Sequence, residues 1–340
     1  MAGYYFNLPQ ITSLTMAQQA ALNETGNIAI SGGPGTGKSV VSMWRHITNY
    51  NQGKKSILLT YTTTLKRYLE ACCRGSNATA AQQVGTAFRN RYLVQTRKFS
   101  EVIIDEAQDL GSDYFTNICS PVSYGADDAQ ILYPDHCTTN HQFDALFPNN
   151  VSYVLDKNFR CTREILQFVR QAFPRAAISS SMINNARPGI KPSLLIGNWG
   201  FNEDTPASVI NAIIRIINDL GNPSENIAIL LPWKSSVLKY VNALSDRVDD
   251  FSFYYEDQSR FPDGCPPLKN VHITTFKSAK GLEFDTVIIP DFHNMSSIVG
   301  KYNVDWQDFY VGCTRAKSNL FLFSNKNLSS LNGVVTVDSI

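Results

Sequence analysis

The residues best suited to chemistry form a glycine-rich loop with the spacing G-x-x-x-x-G-K-S: Gly32-Gly33-Pro34-Gly35-Thr36-Gly37-Lys38-Ser39. The loop follows a predicted strand and opens a predicted helix, the arrangement in which backbone N–H groups converge on phosphate. Lys38 would reach the β- and γ-phosphates, and the hydroxyl of Ser39 would ligate Mg²⁺. A glycine-rich surface turn is the alternative. The spacing predicts a nucleoside triphosphate site lined by Gly33, Gly35, Thr36 and Gly37.

Two adjacent carboxylates, Asp105 and Glu106, end a short apolar segment over 102–104. Asp105 would hold Mg²⁺ through water, and Glu106 would orient and deprotonate an attacking water. Carboxylates at the end of a strand can also form a solvated turn, but that alternative does not explain the accompanying loop. Together the two motifs predict an ATPase that uses ATP and Mg²⁺.

These residues need strands and helices to position them, and the apolar pattern supplies both. Short apolar runs predict strands, and runs with helical spacing predict helices. The predicted strands cover 27–31, 56–61, 101–104, 151–155, 226–231, 272–275, 286–290 and 319–323, and the predicted helices cover 40–50, 162–173, 206–220 and 235–244. Strands that alternate with helices predict parallel α/β sheets.

The length of the chain predicts two domains, because 340 residues exceed the usual size of one hydrophobic core. The pattern of one α/β unit ends near Asn149 and Asn150, just before a predicted strand. We therefore expect one domain over 1–150 and a second over 151–340.

The composition excludes a disordered or collagen-like protein. Apolar residues make up 43% of the chain and charged residues 17%, as in ordinary globular proteins. The net charge of +1 gives no general attraction to nucleic acid, so any such binding has to be local. Seven scattered cysteines predict reduced thiols. No apolar run is long enough for a bilayer, so we expect a cytoplasmic protein that does not enter the membrane.

The segment Asp105-Glu106-Ala107-Gln108-Asp109 is the DEAQD form of the Walker B box. Together with the phosphate loop it resembles superfamily 1 helicases of the UvrD/Rep group. The resemblance implies two RecA-like P-loop domains with mostly parallel sheets flanked by helices. Further boxes of the family follow in order from about Leu14 to Phe323.

Three boxes of the first half resemble the family's Q motif, motif Ia and motif Ib. Residues 14–22 resemble the Q motif, which implies that Gln18 reads the adenine edge. Residues 58–62 and 84–88 resemble motifs Ia and Ib, which contact single-stranded nucleic acid in the family. The resemblance makes Tyr61, Thr62 and Thr86 candidates for that contact, and buried strand ends are the alternative for each of the three.

Residues 126–133 resemble motif III and residues 155–160 resemble motif IV. In motif III, Gln130 would sense the γ-phosphate, although Ala126 and Ala129 depart from the usual residues. In motif IV, Phe159 could stack on adenine and Arg160 could reach the γ-phosphate from the second domain.

Residues 275–284 resemble motif V and residues 310–317 resemble motif VI. By this resemblance Glu283 lies near the ribose, Lys277 and Ser278 face the nucleic-acid backbone, and Arg315 acts as a second arginine finger. The ATP site would then be complete only when the two domains close.

The stretches from Lys38 to Asp105 and from Arg160 to Thr275 are too short for the large insertions of UvrD/Rep helicases. One hypothesis is therefore an ATPase that binds or translocates on single-stranded DNA or RNA, with DNA favoured by the resemblance. A second is an ATP-dependent switch that licenses a protein partner such as a nuclease, in a setting such as a bacterial defence system. A scaffold that binds nucleotide without turnover is the third, and the intact ATP-site residues make it the least favoured.

Overall fold

The computed structural model describes residues 3–176, 178–198, 206–221, 224–301 and 303–340. The chain forms two compact units. We refer to Phe6–Phe159 as the first unit, and to Arg160–Ile340 together with Met1–Tyr5 as the second unit. Each unit contains a parallel sheet with helices around it, which confirms the predicted fold class.

The first unit contains six strands and seven α-helices in its described residues. The strands are β1 (Ile28–Ser31), β2 (Ser56–Thr60), β3 (Val84–Thr86), β4 (Glu101–Asp105), β5 (Val122–Ala126) and β6 (Val151–Val154). The helices are α1 (Met16–Asn23), α2 (Lys38–Asn51), α3 (Thr63–Arg74), α4 (Ala78–Ala81), α5 (Ala87–Thr96), α6 (Ser112–Phe115) and α7 (Asn140–Leu146). The strand order is β3-β2-β4-β5-β1-β6, with every pair parallel.

The described part of the second unit contains seven strands and six α-helices. The strands are β7 (Ser193–Ile196), β8 (Ile227–Leu231), β9 (Ser252–Tyr254), β10 (Val271–Thr275), β11 (Phe284–Ile289), β12 (Ala316–Ser324) and β13 (Thr336–Ser339). The helices are α8 (Arg163–Ala172), α9 (Ser180–Asn184), α10 (Ala207–Leu220), α11 (Lys234–Leu244), α12 (Met295–Ile298) and α13 (Trp306–Cys313). The order is β13-β7-β12-β11-β8-β10-β9, again parallel throughout.

The division between the units lies after Phe159, not after Asn150 as the sequence suggested. The reason is the pairing of β6, which lies beside β1 with Ile28 opposite Val151 and Ser31 opposite Val154. This strand closes the first sheet instead of opening the second. The second difference is that Met1–Tyr5 group with the second unit.

The eight strands and four helices predicted from the apolar pattern are all present, with ends that shift by at most three residues. Five further strands, β3, β5, β7, β9 and β13, were not predicted. No helix among the described residues is long and apolar enough to cross a membrane.

Parallel strands bring their carboxyl ends to one edge of each sheet, and in the first unit this edge carries the phosphate loop and Asp105. In the first unit, β1 leads into the phosphate loop, β4 ends at Asp105 and β5 ends just before Asp127. A cluster of buried apolar side chains that includes Ile104, Tyr124 and Phe143 packs on the sheet. The core therefore fixes the strands whose ends carry the site.

Candidate functional site

The phosphate loop joins β1 to α2, whose first residue is Lys38. Gly37 has φ of 91°, and a Cβ atom there would lie 2.3 Å from the Nε2 atom of Gln18. A Cβ atom on Gly32 would lie 2.3 Å from the main-chain oxygen of Leu155. The loop accordingly needs glycine at these two positions, because its backbone is enclosed by neighbouring segments.

The Lys38 side chain is buried and folds over the phosphate loop. Its Nζ atom donates to the carbonyl oxygens of Gly32, at 2.6 Å, and Gly33, at 3.2 Å. The carboxylate of Asp127 lies 3.9 Å from Nζ. The ammonium group is thus held at the loop that is predicted to receive the phosphates.

Asp105 ends β4, Glu106 follows it, and both are buried. A Cβ atom on Gly125, in the neighbouring β5, would lie 3.5 Å from both the Oδ1 atom of Asp105 and the Cβ atom of Lys38. Residue 125 therefore faces Asp105 and Lys38 at ordinary van der Waals distance.

Glu106 adopts a left-handed conformation, with φ of 55° and ψ of 43°. For a residue other than glycine such backbone costs about 1–3 kcal/mol and is typical of functional sites. The Nε2 atom of Gln108 donates to Glu106 Oε2 at 2.5 Å. The carboxylate is therefore held in one orientation by a buried amide that the sequence analysis did not select.

Mg²⁺ takes oxygen donors and is commonly bound through one or two carboxylates together with substrate phosphates and water. The hydroxyl of Ser39, in the first turn of α2, and the buried carboxylate of Asp105 are donors of this kind. The donor set therefore fits Mg²⁺.

Gln130 lies in a short 3₁₀ helix after β5 and is buried. Its Nε2 atom donates to Asp127 Oδ2 at 2.6 Å, and the same oxygen lies 3.9 Å from Lys38 Nζ. Asp127 thus joins the candidate phosphate sensor to the loop lysine. The sequence analysis did not select Asp127, because β5, the strand before it, was not predicted.

The Gln18 side chain supports the loop in the structure. Its Oε1 atom accepts from the backbone N–H of Thr15 in a capping box of α1, and its Nε2 atom donates to Thr36 O at 3.0 Å. These two bonds use one N–H and one lone pair of the amide, which has a second of each for a contact with adenine.

The segment after β6 fastens the loop from another side. The Nδ2 atom of Asn158 donates to Pro34 O at 2.5 Å, and the backbone N–H of Phe159 donates to Gly35 O at 2.8 Å. The Phe159 ring is 47% exposed and has the Lys157 ammonium 5.1 Å from its centre. Phe159 is accordingly available for stacking, while Asn158, which the sequence analysis passed over, holds the loop backbone.

The second unit brings Arg160, Glu283 and Arg315 together. Arg160 Nε lies 3.4 Å from Glu283 Oε2, and Arg160 Nη1 donates to Thr314 O at 3.4 Å. Arg315 is 1% exposed and donates to the main-chain oxygens of Val311 and Leu282. A contact of Arg315 with nucleotide would therefore require these surroundings to rearrange.

Three candidates for nucleic-acid contact lie at the carboxyl ends of β2 and β3. Thr60 pairs with Thr86, and Tyr61 follows directly. The Tyr61 ring lies 5.3 Å from that of Phe88 and 4.5 Å from that of Tyr133, between ring centres. Thr62 caps α3 by accepting from Leu65 N.

Phe88 and Tyr133 are additions to the sequence prediction. Phe88 is 58% exposed on α5, which begins directly after β3. Tyr61, Phe88 and Tyr133 form what we call the aromatic cluster. It lies on the same edge of the sheet as the carboxyl ends of the strands.

The remaining candidates for nucleic-acid contact, Lys277 and Ser278, lie in the second unit just after β10. Lys277 Nζ donates to Asn303 O at 2.8 Å. The backbone N–H of Ser278 donates to Thr275 Oγ1, and that hydroxyl donates to Ser278 Oγ. The two residues therefore form part of a structured turn.

Comparison with known proteins gives two family matches. Residues 234–327 match the UvrD-like helicase C-terminal domain, and residues 26–184 match the Schlafen group 3 DNA/RNA helicase domain. A protein of Acanthamoeba polyphaga mimivirus with the provisional name ATP-dependent DNA helicase R568 is 25% identical over 255 residues, which cover 68% of this chain. The chain spans 35% of the length of that relative.

Solved structures show the same fold. S. cerevisiae Dbp5 bound to RNA and ADP BeF3 matches with a TM-score of 0.58 and 13% identity, covering 97% of this chain and 90% of that one. A single-substitution variant of that yeast protein with the same ligands also gives a TM-score of 0.58, with 14% identity over 95% of this chain and 89% of that one. The two parallel-sheet units thus have the RecA-like fold. The motifs agree with these two partial family matches, which support the resemblance of the chain to superfamily 1 helicases.

Proposed function

We propose that this protein hydrolyses ATP with Mg²⁺ and couples hydrolysis to binding or translocation on single-stranded nucleic acid. The observation that carries the proposal is the grouping of Lys38, Asp105, Glu106 and Gln130 at one edge of the first sheet, around a phosphate loop. These residue types are the ones that phosphoryl transfer from ATP requires.

Each side chain has a role that follows from its chemistry. The loop amides and Lys38 bind the phosphates, and Glu106, oriented by Gln108, takes a proton from the attacking water. Ser39 and Asp105 would hold Mg²⁺, which shields the phosphate charge when bound. Gln130 senses the γ-phosphate and passes its presence to Lys38 through Asp127.

Phosphoryl transfer spreads negative charge over the γ-phosphate oxygens, and guanidinium groups stabilise that charge. We assign this role to Arg160 and Arg315. Glu283 is assigned to the ribose, Phe159 to the adenine ring, and Gln18 to the adenine edge. Arg160 is the stronger candidate of the two arginines, because its side chain is less deeply buried than that of Arg315.

The aromatic cluster supports single-stranded nucleic acid as the partner. Stacking of a base on an aromatic side chain contributes about 1–3 kcal/mol and tolerates any sequence. Thr62, Thr86, Lys277 and Ser278 are assigned to the sugar-phosphate backbone. DNA is the first choice, since the mimivirus relative is named as a DNA helicase.

A second candidate function is an ATP-dependent switch that licenses a protein partner, such as a nuclease, for example in a bacterial defence system. The observation that favours it is the compactness of the first unit. Between Lys38 and Asp105, a stretch that is described throughout, the chain forms only the connecting elements from α2 to β4. No additional subdomain for handling duplex is inserted in that stretch.

The rate of ATP hydrolysis with and without single-stranded DNA or RNA tests the proposal. We expect a basal rate that a single strand raises severalfold. Hydrolysis that no strand stimulates would contradict coupling and favour the switch.

A matched pair of variants on α5 tests the aromatic cluster. Phe88→Leu should weaken strand binding by about 1–3 kcal/mol, because it removes a stacking surface. Tyr92→Leu removes an aromatic ring one turn further along α5 and should leave strand affinity within about twofold of the wild type. Equal losses in both variants would show that the cluster has no special role.

A further inference from the structure

The segment Gly3–Tyr5 is built into the second unit, although the first unit follows it in the chain. Gly3 forms an antiparallel bridge with Lys269, and the backbone N–H of Tyr4 donates to Leu268 O at 3.0 Å. The Asn226 side chain accepts from Tyr5 N at 2.9 Å and donates to Tyr5 O at 3.0 Å. Backbone contacts on all three residues therefore hold the segment in place.

The Tyr4 side chain contacts the residue assigned to the ribose. Its hydroxyl donates to the main-chain oxygen of Glu283 and accepts from the main-chain N–H of Glu283 at 3.3 Å. Its ring meets Phe284 edge-on, with 5.7 Å between ring centres, and the side chain is buried. Both backbone polar groups of residue 283 are therefore bound by one phenol.

The carboxylate of Glu283 lies 3.4 Å from Arg160 Nε. Arg160 also donates to Thr314 O, the residue before Arg315. Tyr4 thus fixes the backbone of the residue whose side chain pairs with Arg160. The effect of Tyr4 on Arg160 has to pass through Glu283, because Tyr4 bonds to the backbone of that residue.

We propose that Tyr4 is a positioning residue for ATP turnover, which holds Glu283 so that Glu283 orients Arg160. The inference rests on the proposed function, since it assigns Arg160 to the γ-phosphate. It adds a segment that lies outside all the helicase motifs and outside both family matches. The phenol oxygen is the group that carries the effect, and the ring supplies packing.

A pair of neighbouring tyrosines gives the test. Tyr4→Phe removes the hydroxyl and keeps the ring, while Tyr5→Phe removes the hydroxyl of a side chain that is 51% exposed. We expect Tyr4→Phe to lower kcat for ATP hydrolysis about fivefold, as the loss of one or two hydrogen bonds would. KM for ATP should stay within about twofold, because Arg160 acts on the charge of the transition state. Tyr5→Phe should match the wild type.

The same substitution in the Glu283→Gln background separates positioning from a general effect on stability. If Tyr4 acts through Glu283, Tyr4→Phe should cause no further loss in that background. An equal loss in both backgrounds would overturn the inference, and so would an unchanged kcat in the single variant. A second variant, Asn226→Ser, releases the segment without touching Tyr4 and should also lower kcat.

The outcomes for the inference and the proposed function are distinguishable. A wild-type chain with no ATP hydrolysis would refute the proposed function and the inference together. An active wild type with an equally active Tyr4→Phe and Asn226→Ser would refute the inference alone. If Tyr4→Phe does not fold, the inference is tested by Asn226→Ser alone: a lowered kcat supports it and an unchanged kcat refutes it.

Discussion

Single side chains around the phosphate loop hold the loop by its carbonyl groups. Lys38 binds Gly32 and Gly33, Gln18 binds Thr36, and Asn158 binds Pro34. The loop thus receives hydrogen bonds on its carbonyl oxygens from three different elements. With the carbonyl groups fixed, the N–H groups of the loop keep the directions that phosphate binding needs.

Asn158→Ala is expected to weaken ATP binding about five- to tenfold, because it leaves Pro34 O without its buried donor. The measurement is the dissociation constant of a fluorescent ATP analogue. Asn150→Ala is the matched control, since its Nδ2 atom also donates to main-chain oxygens, those of Ile28 and Val122 at the opposite ends of the strands. Equal affinities of the two variants would refute the role of Asn158.

At the scale of elements, parallel strands explain why distant motifs meet. β1, β4 and β5 are neighbours, so the loop, Asp105 and Asp127 come to one edge. α2 then carries Lys38 and packs against this sheet through His46, whose Nδ1 accepts from Ser56 in β2 and whose Nε2 donates to Ala80 O. The position of the loop lysine is thus tied to the packing of a whole helix.

His46 gives a pH dependence with a defined sign. Burial lowers its pKa to about 4, below the 6.5 of an exposed histidine. The neutral side chain therefore contributes stability that is fully present above about pH 6.5 and is lost as the pH falls toward 4, by up to about 1.4 kcal/mol per pH unit. We expect the melting temperature of the protein to fall over this range.

The measurement is the slope of melting temperature against pH for two glutamine variants. His46→Gln should reduce the slope, whereas His141→Gln, on an exposed position of α7, should not. Burial also lowers the pKa of His272 in β10 to about 4, so part of the slope should persist in His46→Gln. If the slope of His46→Gln equals that of the wild type, His46 does not contribute to the pH dependence of stability.

The strands that could be predicted are those with continuous apolar residues, such as 56–60 and 227–231. β5 was not predicted because its sequence, Val-Ser-Tyr-Gly-Ala, contains small and polar residues. The Ser123 hydroxyl serves tertiary contacts, since it accepts from Ile28 N and donates to Glu101 Oε1. β3 has only three residues, which is too short for a periodic signal.

The candidate site likewise contains residues that the sequence could predict and residues that it could not. Lys38, Asp105 and Glu106 could be proposed from the sequence because phosphate chemistry fixes their type and spacing along the chain. Asn158, Gln108 and Tyr4 could not, because they act through contacts with residues far away in the sequence or through a bond to a neighbouring side chain. The position of Gln18 was predicted, whereas its bonds within the capping box depend on the fold.

At the scale of the whole molecule, the chain passes from one unit to the other twice, between Tyr5 and Phe6 and between Phe159 and Arg160. Residues proposed to act on ATP flank the second passage, since Phe159 ends the first unit and Arg160 begins the second. Tyr4 lies one residue before the first passage. Both passages are therefore next to groups on which the proposed ATP cycle depends.

The variant Glu106→Gln tests the central claim most directly. Glutamine keeps the size of the side chain and removes the base, so ATP hydrolysis should fall at least about a hundredfold while the affinity for ATP stays within about threefold. Glu256→Gln, the same change on an exposed side chain of the second unit, should hydrolyse ATP like the wild type. ATP hydrolysis by Glu106→Gln at the rate of Glu256→Gln would contradict the account.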